Sequence, residues 1–179
     1  MNICLYGSGS RKIDKIYTDA AYELGCMMAQ KGYGLVFGGG DTGMMGACAK
    51  GVHDNNGKSI GIAPEWIGSF EPLCRDCTEF IYVDTMEERK KGFVENSDVF
   101  IITPGGIGTL DEFFEIITLK KLKQVDKEII VFNICGFFDK MFEMIDEMAE
   151  KGFLYKQTEI YKRFDTIEEI FEYLDDLDD

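Results

Sequence analysis

Residues 99–119 place a strand, a glycine turn and a helix in immediate succession, and this constrains the fold more than any other feature. The apolar run Val99-Phe100-Ile101-Ile102 leads into Thr103-Pro104-Gly105-Gly106-Ile107-Gly108-Thr109-Leu110-Asp111-Glu112. Apolar residues then recur with helical spacing at Phe113, Phe114, Ile116, Ile117 and Leu119. The glycines let the backbone turn tightly and aim several N–H groups at one spot. The helix start adds its unpaired N–H groups and the positive end of its dipole. Such a turn favours a phosphate. Glu112, an acid one turn into the helix, separates it from an ordinary phosphate loop.

The same unit recurs along the chain. Strands are expected at 2–6, 34–37, 59–63, 80–83, 98–102 and 128–133, with a short seventh from Ile160 to Phe164. Helices are expected at 14–30 (burying Ile16, Ala20, Ala21, Leu24 and Met28), from the 38–46 turn to 54, from Thr85 to 96, to about 123, at 137–150 and after Thr166. Thr85-x-x-Glu88 and Thr166-x-x-Glu169 have capping-box spacing. Residues 64–79 form a long irregular loop, and the acidic tail 175–179 is expected to be solvated. Alternating strands and helices imply an α/β fold, Rossmann-like and three-layered, with a parallel sheet of about seven strands. The whole chain, 1–179, is expected to form one domain. Ligands of such folds bind at the carboxyl ends of the strands. The glycine turns after strands one, two and five, at Gly7–Ser10, Gly38–Gly46 and Pro104–Gly108, fall on that edge.

Composition narrows the ligand. The net charge is −14, which argues against nucleic-acid polymers and anionic membranes. A small phosphorylated molecule in a locally basic pocket remains compatible. No apolar run is long enough to span a bilayer, and the N-terminus reads as a strand rather than a signal peptide, so a cytoplasmic protein is expected. Neither a Rossmann glycine fingerprint nor a Walker A pattern is present, which argues against ordinary dinucleotide or triphosphate binding. Cys4, Cys26 and Cys48 sit in apolar patterns as small core residues. Cys74-Arg-Asp-Cys77 has redox or metal spacing, but with His53 as the sole histidine it lacks the partners of a closed zinc site. It reads as two thiols in a loop, and no metal is expected. His53 reads as solvated. Met141, Met144, Ile145 and Met148 read as core or subunit interface, and Trp66 either stacks on a base or anchors the long loop.

Glu112 has a plain structural alternative. Thr109-x-x-Glu112 is itself capping-box spacing, so the acid could simply bond back to the Thr109 N–H. Asp111 and Glu115 lie beside it, and placing a phosphate near these acids demands cations. Arg89 and Lys90 are candidates, although Glu87-Glu88-Arg89-Lys90-Lys91 also fits a solvated helix face. The residues alone leave both open.

The motifs resemble one family. Pro104–Glu112 matches the PGGxGTxxE motif of the LOG (Lonely Guy) proteins, which are cytokinin riboside 5'-monophosphate phosphoribohydrolases often mislabelled lysine decarboxylases. Gly38–Gly46 is similar to their GGGxxGxMG segment, Met86–Lys90 to their MHxRK segment and Cys4–Ser8 to their first strand and turn. The resemblance implies Arg89 and Glu112 as the catalytic pair. It implies substrate contacts at Lys90, Gly105, Gly106, Gly108, Thr109 and Thr118, and at Glu71 in the long loop. Ser8, Gly40, Gly43, Met44, Ile107, Asp111 and Glu115 complete the expected substrate-binding set. Glu87 stands where the family commonly has histidine. The implied substrate is AMP or a cytokinin riboside monophosphate, cleaved without cofactor by a homodimer whose partner subunit helps shape the base pocket. The alternative is a non-catalytic nucleotide or molybdenum-cofactor carrier of the same fold. A decarboxylase is set aside, because nothing in the residues supports a pyridoxal phosphate site.

Overall fold

The computed structural model describes residues 1–154 and 160–178. Seven strands form one parallel sheet: β1 (Asn2–Tyr6), β2 (Gly34–Phe37), β3 (Ser59–Pro64), β4 (Glu79–Val83), β5 (Val99–Ile102), β6 (Glu128–Phe132) and β7 (Lys162–Phe164). Their order is β4-β3-β2-β1-β5-β6-β7. The helices are α1 (Lys15–Gln30), α2 (Gly43–Asp54), α3 (Met86–Asn96), α4 (Ile107–Lys121), α5 (Asp139–Glu150) and α6 (Ile167–Asp178).

Strand alternation builds the three layers. Ile3 and Leu5 of β1 face a core shared with α1, α2 and α6, while Cys4 and Tyr6 face one shared with α3, α4 and α5. The strand order reverses at β1, which pairs with β2 on one side and β5 on the other. Chains that leave adjacent strands for opposite faces open a crevice at their carboxyl ends. Two of the glycine turns, after β1 and β5, flank that crevice.

Several expectations change at the level of elements. Ile16 is exposed and Ala20 half-buried, while Ala21, Leu24 and Met28 are buried as expected, joined by Gly25. The inward stripe of α1 starts at Tyr17, which packs on the core one position round from Ile16. Gly25 earns its place in that stripe, because a Cβ there would stand 2.1 Å from the Cys48 carbonyl oxygen of α2. α5 begins at Asp139, after a short 3-10 turn over Ile134–Gly136. Asn133 breaks the strand there: its side chain accepts from the Phe138 N–H and donates to Asp139 and Asp165. Met144 and Met148 of α5 stay largely exposed. The long loop contains a 3-10 turn over Glu65–Ser69. The tail up to Asp178 continues α6, where Asp175 pairs with Lys31. Both expected capping boxes form, at Thr85–Glu88 and Thr166–Glu169. The seventh strand covers only Lys162–Phe164 of the expected 160–164, and Asp179 lies outside the described residues. Among the described residues no helix is long and apolar enough to cross a membrane.

Candidate active site

Backbone hydrogen bonds lace the three glycine turns together. The Ser8 N–H donates to the Pro104 carbonyl (3.2 Å), joining the turns after β1 and β5. The Ser8 carbonyl accepts from the N–H groups of Met44 (2.7 Å) and Met45 (3.4 Å), and Thr42 Oγ1 donates to the Gly9 carbonyl (2.6 Å). The turn after β2 is thereby bound to the turn after β1. Gly43 adopts φ +65°, and a Cβ there would meet the Ser8 oxygen at 2.4 Å. The N-terminus of α2 thus spends its first donors on Ser8, and Met44 is fully buried in the core. Ser8, Gly43 and Met44, all three expected substrate residues, hold the turns in place.

The N-terminus of α4 is different. Its cap is Gly106, which offers no side chain to the first N–H groups. Ile107 is exposed at the helix start, and a Cβ on Gly106 or Gly108 would meet no protein atom within 4 Å. Gly105 is tighter, its position filled by buried Thr109. Open donors therefore face open space at the mouth of the crevice.

Because α4 begins at Ile107, Thr109 already lies inside its first turn, and Glu112 is not at the helix entry. The capping explanation of Glu112 fails on that position. The carboxyl is half-buried, and desolvation pushes it up to about 7, opposed by Arg89 and Lys90 and assisted by Asp111 and Glu115.

Helix α3 delivers the cations. Arg89 is buried, not solvated: its Nε donates to the Ile62 carbonyl (3.0 Å) and its Nη2 to the Gly38 carbonyl (2.7 Å). Only glycine fits at 38, since a Cβ there would stand 2.2 Å from Nη2. Two carbonyls at the ends of β2 and β3 fix the guanidinium, with Nη1 directed at the Met86 sulfur (3.9 Å) and further N–H groups left over. Lys90 pairs with Glu115 and with Asp111 (3.3 Å), and these bonds raise its ammonium pKa. Glu71 reaches over the sheet edge: a Cβ on Gly9 would lie 2.7 Å from its Oε2, and one on Gly40 3.6 Å from its Oε1. The loop carrying it is pinned there by Gly40, which bridges Leu73, and by the Asp41 N–H, which donates to Pro72 (2.9 Å).

Thr118 is the expected residue that this assembly does not include. It lies eleven residues into α4, about 16 Å along the axis from its start. Its hydroxyl donates to the Phe114 carbonyl (2.6 Å). Tyr6 is the residue that sequence reasoning missed. It ends β1, is buried, and lines a small cavity with Lys90, Glu112 and Glu115. Its phenol is pushed well up by desolvation and by neighbouring Cys4, Glu112 and Glu115. Its place immediately before a glycine turn was the available signal. His53 is also not merely solvated, since its Nε2 bonds Ser59 Oγ at 2.7 Å. Trp66 is half-exposed, with its Nε1 donating to the Asp84 carbonyl (3.4 Å).

A family model described as "possible lysine decarboxylase" matches residues 45–174. Cytokinin riboside 5'-monophosphate phosphoribohydrolase LOG3 of Arabidopsis thaliana is 36% identical over 152 residues, covering 85% of this chain and 71% of that protein. The corresponding LOG protein of Oryza sativa subsp. japonica is 36% identical, covering 85% of this chain and 63% of its own. The chain belongs to the LOG family. Its fold also resembles that of the molybdenum cofactor binding protein from Rippkaea orientalis, with TM-score 0.72 and 21% identity, covering 99% of this chain and 96% of that one. At that identity the likeness shows the fold alone.

Proposed function

We propose that this LOG protein hydrolyses the N-glycosidic bond of adenosine 5'-monophosphate, or of an N6-modified form, to the free base and ribose 5-phosphate. The observation that carries the proposal is Glu112: a desolvated carboxyl, free of any capping duty, that feels the charges of Arg89 and Lys90 and lies about one turn from an open helix N-terminus. The names of the plant relatives point to the same reaction.

The chemistry follows from the charges. The phosphate occupies the open donors of Gly106, Ile107 and Gly108, where the α4 dipole favours it. Cleavage moves positive charge onto the sugar in an oxocarbenium-like transition state. Glu112, ionised above about pH 7, stabilises that cation or takes a proton from the attacking water. Arg89, held rigid by two carbonyls, turns its remaining N–H groups to the substrate and to Glu112. Lys90 exchanges part of its pairing with Asp111 and Glu115 for the substrate. Glu71, over Gly9 and Gly40, accepts from a ribose hydroxyl. The active form is proposed to be a homodimer in which Thr118, remote from the site of its own chain, meets the nucleotide of the neighbouring copy. The site is proposed to be cytoplasmic, where free nucleotides occur.

Chromatography of products from AMP, isopentenyladenosine monophosphate and adenosine tests the reading. Free base from the monophosphates, little from adenosine and none with Glu112→Gln is the expected pattern. Tight nucleotide binding with no turnover by the wild type would favour a carrier.

A further inference from the structure

Trp66 and Tyr82 stay half-exposed, at 50% and 56%, at the outer edge of the sheet. Trp66 belongs to the 3-10 turn after β3, and Tyr82 to β4, whose only neighbour in the sheet is β3. With Glu65, Val83 and Asp84 they line an open groove of about 590 Å³, within the range of about 300–1,000 Å³ usual for small-molecule sites. None of the five is among the residues assigned to the nucleotide site.

Both rings are held in place. The Trp66 Nε1 donates to the Asp84 carbonyl (3.4 Å), and the indole meets Phe70 edge-on, with centroids 6.3 Å apart. Tyr82 lies against Phe80, with centroids 4.7 Å apart. Phe80 in turn is seated on Gly39 and Gly61, where a Cβ would stand 2.6 Å from its ring.

The charges at the groove are of one sign. Glu65 and Asp84 are exposed acids, and no lysine, arginine or histidine lines the groove. Asp19, Asp54 and Glu95 each pair with a lysine one helical turn before them. Among the described residues neither Glu65 nor Asp84 has an ion-pair partner. The net charge of −14 adds a long-range field of the same sign. Exposed rings beside unpaired carboxylates attract a cation. A metal ion does not fit: among the described residues no group of three or more metal-binding side chains forms, and hard cations require several oxygen ligands.

We propose that the groove between the 65–69 turn and the end of β4 is a binding site for an organic cation of the quaternary ammonium class. Its head packs on Trp66 and Tyr82, and Glu65 and Asp84 balance its charge. Such a head spreads its charge over methyl groups and has no N–H donors to leave unsatisfied when it leaves water.

Trp66 is the only tryptophan, so intrinsic tryptophan fluorescence reports on this groove alone. The wild-type protein, without nucleotide, is titrated with choline chloride while NaCl holds the ionic strength constant. A parallel titration uses 3,3-dimethylbutan-1-ol, the uncharged isostere of choline. A saturable change with choline is expected, half-complete at about 1–10 mM. The alcohol is expected to bind at least about ten-fold more weakly. Glu65→Gln combined with Asp84→Asn keeps both rings and is expected to weaken choline several-fold while leaving the response to the alcohol unchanged. An equal response to choline and the alcohol overturns the proposal, because the groove is then merely apolar. No response to choline overturns it as well. So does Trp66 emission that varies with protein concentration and ignores choline, which would mean that a second copy covers the groove.

Discussion

At the scale of single residues, Glu112 and the glycines of the α4 turn make opposite demands on stability and function. Glu112 titrates higher in the folded chain, about 7, than its ordinary 4.5. The folded state therefore binds more protons between those values, so this group's contribution to stability falls as pH rises through that window. Glu112→Gln removes the cost, and urea titrations should find the variant more stable than wild type at pH 8 by on the order of 1–2 kcal/mol, but not at pH 4. Gly108→Ala meets no protein atom and improves helix propensity, so Tm should hold or rise slightly while KM for the nucleotide rises at least about ten-fold. A KM unchanged in that variant would remove the phosphate from α4. Glu112 and the glycine turn were legible from sequence as a strand, turn and helix carrying an acid. The place of Tyr6 in the site was not, because an aromatic residue ending a strand is ordinary core until the fold sets it beside a carboxylate.

Elements show where sequence patterns decide and where packing does. Helix α3 is the strut for Arg89 and Lys90, and its entry is fixed by the Thr85–Glu88 box, written in the sequence as spacing. Thr85→Ala should cost about 1 kcal/mol in denaturant unfolding and lower kcat/KM through the displaced cations. The choice between a solvated face and a buried pair for Arg89 was not legible, since the carbonyls that accept from it belong to β3 and the β2 turn, distant in the chain. The same holds for α1, where Ile16 and Tyr17 compete for one stripe and packing on the core and on Phe137 selects Tyr17. Gly25→Ala should destabilise by about 1–3 kcal/mol, because the new methyl meets the backbone of Cys48 at 2.1 Å and the helices must part. A melting temperature equal to wild type would show that α1 and α2 are looser than this packing.

For the whole molecule, strand order does what no single motif can. Placing β1 between β2 and β5 puts three turns, far apart in sequence, within hydrogen-bonding distance of one another. Alternating strands and helices announced the parallel sheet. The edge loop followed no periodicity, and the helical spacing of Met144 and Met148 in α5 did not tell that they would stay exposed, because their surroundings are set by distant chain or by solvent. The net charge of −14 repels itself across this compact body, so raising NaCl from about 10 mM to about 150 mM should raise Tm. Against that negative field, and with Lys90 already paired to Asp111 and Glu115, Arg89 and the α4 N-terminus supply the positive groups on which the proposed chemistry depends. The pH dependence of kcat/KM for nucleotide cleavage, in wild type and in Glu112→Gln, tests that chemistry most directly. The account predicts a wild-type rate falling about ten-fold per unit below a pH of about 7, a unit above the substrate phosphate near ~6, and a loss of at least about 100-fold in the variant. A variant as active as wild type, with the same profile, would contradict it.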